Sequence, residues 1–263
     1  VILAGIKNNI NVTVNVLDSE QIEKLNDELE FKRFLRNYDG FIIAGGFGSR
    51  GIYGKVKVIN YARINKVPIL GICLGFQLMN LEYASNVLGL NVGSKEFDNK
   101  LNELISGNLE SVSDATNREY IIDYQPGLEG TELTSGTMRL GSYKCDIVSD
   151  TKLESIYKDY SEEHGTYSSI NKIHRHRFEM NKEIYDRLKF KSKGMIVSGF
   201  NIQNIGTDNE HTLIEAVELE NHPFFVGVQY HPEMDTTIDN PEPLFVELVK
   251  EAIIYRHPIK AEE

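Results

Sequence analysis

The stretch PILGICLGFQLMNLEYA, Pro68 to Ala84, sets one cysteine between two glycines at the point where an apolar run changes rhythm. Before Cys73, VPILGI reads as a buried strand with Pro68 at its start, where a missing N–H does least harm. After it a helix is expected from about Gly75 to Leu88, closed by Gly89. G-I-C-L-G has the spacing of a turn in which a strand passes into a helix at once, and the central residue takes a strained backbone angle that pushes its side chain out. A helix N-terminus beneath the sulfur favours thiolate over thiol. Buried cysteines are also common as small apolar residues, so the pentapeptide alone leaves Cys73 as either core residue or nucleophile.

The same alternation extends outward. NVTVNVL, Asn11 to Leu17, reads as a strand, and SEQIEKLNDELEFKRFLRN as one helix capped by Ser19. YDGFIIAGGFGSRG gives a turn, a strand at Phe41 to Ala44 and a glycine-rich loop, and KVKVINYARINK a helix up to Lys66. Alternation of this kind predicts an α/β fold, a mainly parallel central sheet with helices on both faces and ligands at the carboxyl ends of its strands. From about Lys95 to Gly130 the text turns polar and irregular, as a surface excursion does. SGTMRLGSYKCDIV resumes an ordered pattern, FFVGVQY is a buried strand, and NPEPLFVELVKEAIIYR is a closing helix with Pro243 in its first turn. No linker interrupts the chain, so residues 1–263 are expected to form one domain with a long insertion.

The 263 residues are 41% hydrophobic, enough for a sizeable core, and carry a formal net charge of −11. That charge repels phosphate backbones and anionic lipid heads, so nucleic acid and membrane surfaces are poor partners and a small polar substrate fits better. No run approaches the roughly 18 apolar residues of a membrane span. Cys73 and Cys145 are the only cysteines, which suits a reducing compartment and makes the cytoplasm the expected location. The opening VILAGIKNN has no initiator Met, as in a piece of something longer.

Three further constellations bear on Cys73. In VGVQYHPE, His231 follows a buried strand and Pro232 biases it toward an extended conformation, so that Glu233 projects to the same side and can orient the imidazole. A histidine so held can take a thiol proton and later pass it to a leaving amine; alone, the tripeptide is a strand-end turn. In AGGFGSRG, Ala44 to Gly51, the spacing lacks both phosphate-binding signatures, but an N–H at Gly46 with that of Leu74 provides two donors for a developing oxyanion. In HRHRFEMN, His174 and His176 lack a third metal ligand, whereas Arg177 offers a planar fork for an α-carboxylate. Glu96, in SKEFD, is placed to pair with an α-amino group.

AGGFGSRG, PILGICLGFQL, GTMRLG, HRHRFEMN and HPFFVGVQYHPE together resemble the class I glutamine amidotransferase domain of CTP synthase, over nearly the whole chain. The resemblance implies Cys73 as nucleophile, with His231 and Glu233 completing the triad. It implies glutamine contacts at Gly46, at Leu74, Gly75, Phe76 and Gln77 (Phe76 through its backbone), at Glu96 and at Arg177. It further implies hydrolysis of L-glutamine to glutamate, with the ammonia used to convert UTP to CTP. No cofactor and no metal are expected in this domain. ATP, Mg and UTP are expected on a synthase domain, normally N-terminal and absent from this text, as is the first strand of the glutaminase domain. GTP is expected as an activator and a homo-oligomer, a tetramer, for the full-length enzyme. Two other readings share part of the pattern: a hydrolase of other γ-glutamyl compounds, and a non-catalytic glutamine-binding or assembly module.

Overall fold

The chain opens with one short helix, α1 (Ile2–Lys7), in a computed structural model that describes residues 1–106, 118–124, 138–159, 168–180, 182–208 and 210–257. Where one helix was expected there are two, α2 (Ser19–Glu23) and α3 (Glu28–Leu35). The carboxylates of Asp18 and Asp27 cap them, accepting from the N–H groups of Glu20 at 3.0 Å and Glu30 at 2.7 Å. Asp27 thus starts a second helix inside the periodic stretch, and Ser19 is not the cap. β1 (Phe41–Ile43), α4 (Ile52–Asn65), β2 (Ile69–Ile72) and α5 (Leu74–Asn86) follow as the pattern predicts. Lys66 ends α4 in the left-handed region, at φ 58°.

The rest of the chain adds β3 (Val92–Ser94), α6 (Asn99–Ser106), β4 (Glu119–Tyr124), β5 (Arg139–Ile147), α7 (Lys152–Asp159), β6 (Ser169–His176) and β7 (Phe178–Met180). It closes with α8 (Lys182–Arg187), β8 (Met195–Gln203), β9 (His211–Leu219), β10 (Phe225–Val228) and α9 (Pro243–Arg256).

One sheet has seven strands in the order β1-β2-β10-β9-β8-β5-β6, and a second has three, β3-β4-β7. β1, β2 and β10 are mutually parallel and form the core of the α/β layer; β9, β8, β5 and β6 extend it by antiparallel ladders. The parallel strands are short and apolar because helices cover both faces. On one face Ile59, Phe76, Leu78 and Leu81 pack with the inner residues of the small sheet; on the other, Leu153, Ile156, Leu244 and Leu248 pack against Leu70, Val226 and Val228.

Two expectations need correction. Asn11 to Leu17 forms no strand: a cavity of about 790 Å³, lined among others by Val12, Val14, Val16, Phe41 and Ile43, separates it from β1. A ladder needs a neighbour at about 4.8 Å, so the alternating valines pair with nothing and Val16 stays 97% exposed. The polar excursion, in turn, contains α6 and β4, with Leu101 and Ile105 buried four residues apart; its residues 107–117 and 125–130 lie outside the described ones. Buried Asn102 donates to the carbonyls of Ser94 and Phe97 at 3.0 and 3.1 Å and accepts from the Ser94 N–H at 2.9 Å. These bonds fix the turn that carries Glu96. Among the described residues no helix is long and apolar enough to cross a membrane.

Gly75 lets α5 lie on β1: a Cβ there would stand 2.1 Å from the carbonyl oxygen of Ile43. Backbone cannot give way as a flexible side chain does, so Gly75→Ala is expected to destabilise the fold by about 3 kcal/mol, read as a lowered urea midpoint at unchanged m-value; an unchanged midpoint contradicts this packing.

Candidate functional site

β2 delivers Cys73 to the carboxyl end of the parallel core. Its N–H donates to the carbonyl of Val228, the last residue of β10, at 2.8 Å. The ladder thus ends on Cys73, and α5 begins at the next residue. The turn requires φ 52° and ψ −103° at Cys73, a left-handed conformation that a side chain adopts only at a cost of order 1–3 kcal/mol. The strained elbow read from the glycine spacing is therefore present.

β10 continues through Gln229 and Tyr230 to His231, whose N–H donates to the carbonyl of Ile173 on β6 at 2.8 Å. Glu233 reaches back to it over a 3₁₀ turn, Pro232–Met234, rather than by strand alternation. The imidazole Nδ1 lies 2.6 Å from Glu233 Oε1, and its buried Nε2 has no hydrogen-bond partner among the described residues. One nitrogen is held and the other is open, as a general base requires.

Gly45 joins the two halves. A Cβ on it would lie 3.4 Å from Cys73 Cβ and 3.0 Å from His231 Cε1. The side chains of residues 73 and 231 therefore converge on one point, although the sequence separates them widely. In the structure the thiol faces the carbonyl of Arg175, Sγ to O 3.9 Å, and no hydrogen bond links it to His231.

The sulfur is not a resting thiolate. The N–H of Leu74 at the start of α5 does lower the Cys73 pKa, but burial raises it more and Glu96, Glu233 and Glu179 add to the rise, so the thiol is pushed up to about 12. The helix N-terminus expected to favour the thiolate is outweighed, because Cys73 is 2% exposed.

On the glycine-rich loop, the N–H of Gly48 donates to Glu96 Oε1 at 2.8 Å. Burial raises the Glu96 pKa, while that N–H and the nearby Arg177 guanidinium lower it. The Arg177 and Arg175 guanidiniums stand 5.9 and 5.8 Å from the centre of the half-exposed Phe47 ring. Glu96, Arg177, Gly46, Leu74, Cys73, His231 and Glu233 are thus gathered round one loop. Phe76 and Gln77 point away from it. Phe76 is fully buried, and Gln77 Nε2 donates to the carbonyl of Phe178 at 2.8 Å and to Gln229 Oε1 at 3.1 Å, which ties α5 to β7.

An ionic core that sequence reasoning missed lies beneath this site. Buried Arg139, from the GTMRLG motif, lies 3.3 Å from Glu179 and 2.6 Å from Glu215. Burial holds both carboxyls above the usual range. His174 and His176 are hydrogen-bonded to each other at 2.9 Å, and burial with the Arg139 charge keeps both neutral. They sit in this core beside Arg139, Glu179 and Glu215. Glu215 inside the apolar run TLIEAV is the one sequence signal that points here.

Gly45→Ala sets a methyl 3.0 Å from the imidazole, which has to give by a few tenths of an ångström. It is expected to lower turnover of the site's substrate on the order of tenfold or more, measured as kcat; turnover equal to the parent contradicts the convergence described.

The family model for glutamine amidotransferase class I matches residues 2–251. CTP synthase of Nautilia profundicola is 39% identical over 250 residues, covering 95% of this chain and 41% of that protein. CTP synthase of Thermotoga maritima is 43% identical over 237 residues, covering 89% and 39%. The chain thus spans about two fifths of the length of these relatives. Among solved structures, the glutaminase domain of Trypanosoma brucei CTPS with bound acivicin superposes with a TM-score of 0.75 at 27% identity, covering 95% of this chain and 84% of that one.

Proposed function

This chain belongs to the class I glutamine amidotransferase family, and we propose that it is the glutaminase part of a CTP synthase, with Cys73, His231 and Glu233 as its catalytic triad. The observation that carries this reading is the convergence of a strained, buried cysteine and a carboxylate-held histidine on Gly45.

L-Glutamine binds with its α-carboxylate in the fork of Arg177 and its α-amino group toward Glu96. The Cys73 sulfur attacks the side-chain amide carbon while His231 Nε2 takes the thiol proton, so that no free thiolate has to persist in the buried site. The N–H groups of Leu74 and Gly46 receive the oxyanion. Collapse of this intermediate breaks the C–N bond, and His231 gives its proton to the departing ammonia. Water then attacks the γ-glutamyl thioester with His231 as base, which releases glutamate and restores the thiol. Glu233 keeps Nδ1 engaged throughout and favours the imidazolium. Gly75, Phe76 and Gln77 act through the backbone and packing of α5.

In a full-length enzyme the ammonia serves the ATP-dependent amination of UTP to CTP. ATP, magnesium and UTP belong to the synthase domain that is this domain's partner, GTP acts as activator, and the assembled protein is a homo-oligomer of the tetramer class in the cytoplasm.

Cys73→Ala is expected to abolish glutamate release, measured by coupled assay, while glutamine binding persists; release at the parent rate overturns the assignment. Arg177→Ala removes a charge-assisted clamp of about 2 kcal/mol, a rise of roughly thirtyfold in glutamine KM. An unaltered KM excludes that role. Running γ-glutamyl peptides beside glutamine separates an amidotransferase from a general γ-glutamyl hydrolase.

A further inference from the structure

The anions named above act on Cys73 from several sides, and the reaction adds negative charge first to the sulfur and then to the carbonyl oxygen. A balancing cation is found on α4, which begins directly after the glycine-rich loop. Lys55, in its first turn, is half-buried and extends to that loop: a Cβ on Gly46 would lie 3.8 Å from Lys55 Nζ and 3.5 Å from Leu74 Cδ2. The ammonium therefore stands beside Gly46, whose N–H is one of the two assigned to the oxyanion. Burial lowers the Lys55 pKa, and the interaction that opposes this is with Cys73, felt once the sulfur becomes negative.

Among the described residues no carboxylate pairs with Lys55, and a part-buried ammonium so placed is unfavourable in the resting protein. It becomes favourable when nearby atoms turn negative, and only interactions that strengthen in this way accelerate a chemical step. Arg177 is placed otherwise, over Phe47 and toward Glu96, where it meets the distal end of an amino acid.

We propose that Lys55 is a further functional residue of this site: its ammonium stabilises the negative charge that passes from the Cys73 sulfur to the oxygen received at Gly46 and Leu74. The proposal rests on the reading of Cys73 as nucleophile. Lys55 acts through the field of its charge and forms no bond to the substrate.

The test compares Lys55→Met, which keeps the aliphatic stem, Lys55→Gln, a second uncharged variant in case the first misfolds, and Lys55→Arg. Iodoacetamide alkylation of Cys73 is followed by mass spectrometry from pH 6 to 11 without glutamine. Both uncharged variants are expected to react about tenfold more slowly at pH 8, with the profile moved about one unit upward. Lys55→Arg restores the parent profile, and kcat follows the alkylation rate while glutamine KM stays constant. Profiles that superpose on the parent overturn the proposal. So does a raised KM with unchanged alkylation, which makes Lys55 a substrate clamp instead. Failure of the underlying reading is seen separately, as glutamate release by Cys73→Ala.

Discussion

The hydrogen bond from the Cys73 N–H to the carbonyl of Val228, at 2.8 Å, is the joint on which the site depends. It is the last rung of the parallel ladder between β2 and β10, and it fixes the cysteine at the end of one strand just where the other continues toward His231. Without that register, the left-handed turn at Cys73 would relax, because nothing local favours φ 52° in a residue with a side chain. Strain in the turn is maintained by burial on both faces of the sheet and by glycines too small to obstruct the approach of α5 and of the loop. The geometry at Cys73 is thus a property of the whole parallel core.

Burial has a second consequence. It excludes water from the sulfur and so suppresses the thiolate, which at first sight opposes catalysis. A thiol held neutral is protected from indiscriminate alkylation and oxidation, and in the proposed reaction its ionisation is coupled to attack through the open nitrogen of His231. The carboxylates of Glu96, Glu179 and Glu233 reinforce this restraint. In the proposed reaction, charge stabilisation comes from groups that respond to the reaction itself, namely the N–H groups of Leu74 and Gly46 and the Lys55 ammonium.

Much of this was legible in the residues. Glycine spacing located the elbow, the apolar run VPILGI located β2, His231 and Glu233 read as a base and its orienter, and Glu96 and Arg177 as partners for the two charged groups of an amino acid. What escaped were mostly features decided by partners distant in sequence, the local cap at Asp27 being the exception. Asn11 to Leu17 has a strand's alternation but no neighbour to pair with. Asp27 caps a new helix within a stretch whose periodicity looks continuous. The antiparallel half of the large sheet, the buried Arg139 with its two glutamates and the inward turn of Gln77 all depend on which strands become adjacent. The thiol state of Cys73 depends on how much protein covers it, which a pentapeptide cannot express.

The central claim is that the sulfur of residue 73 attacks with the imidazole of residue 231 as its proton acceptor. Rapid acid quench during turnover, with mass analysis of the peptide spanning residues 68–84, tests it most directly. The account predicts a γ-glutamyl adduct on Cys73 that forms in the parent within one turnover and forms far more slowly in His231→Ala. An active enzyme that never carries the adduct, or one that acquires it at full rate without the imidazole, would contradict the account.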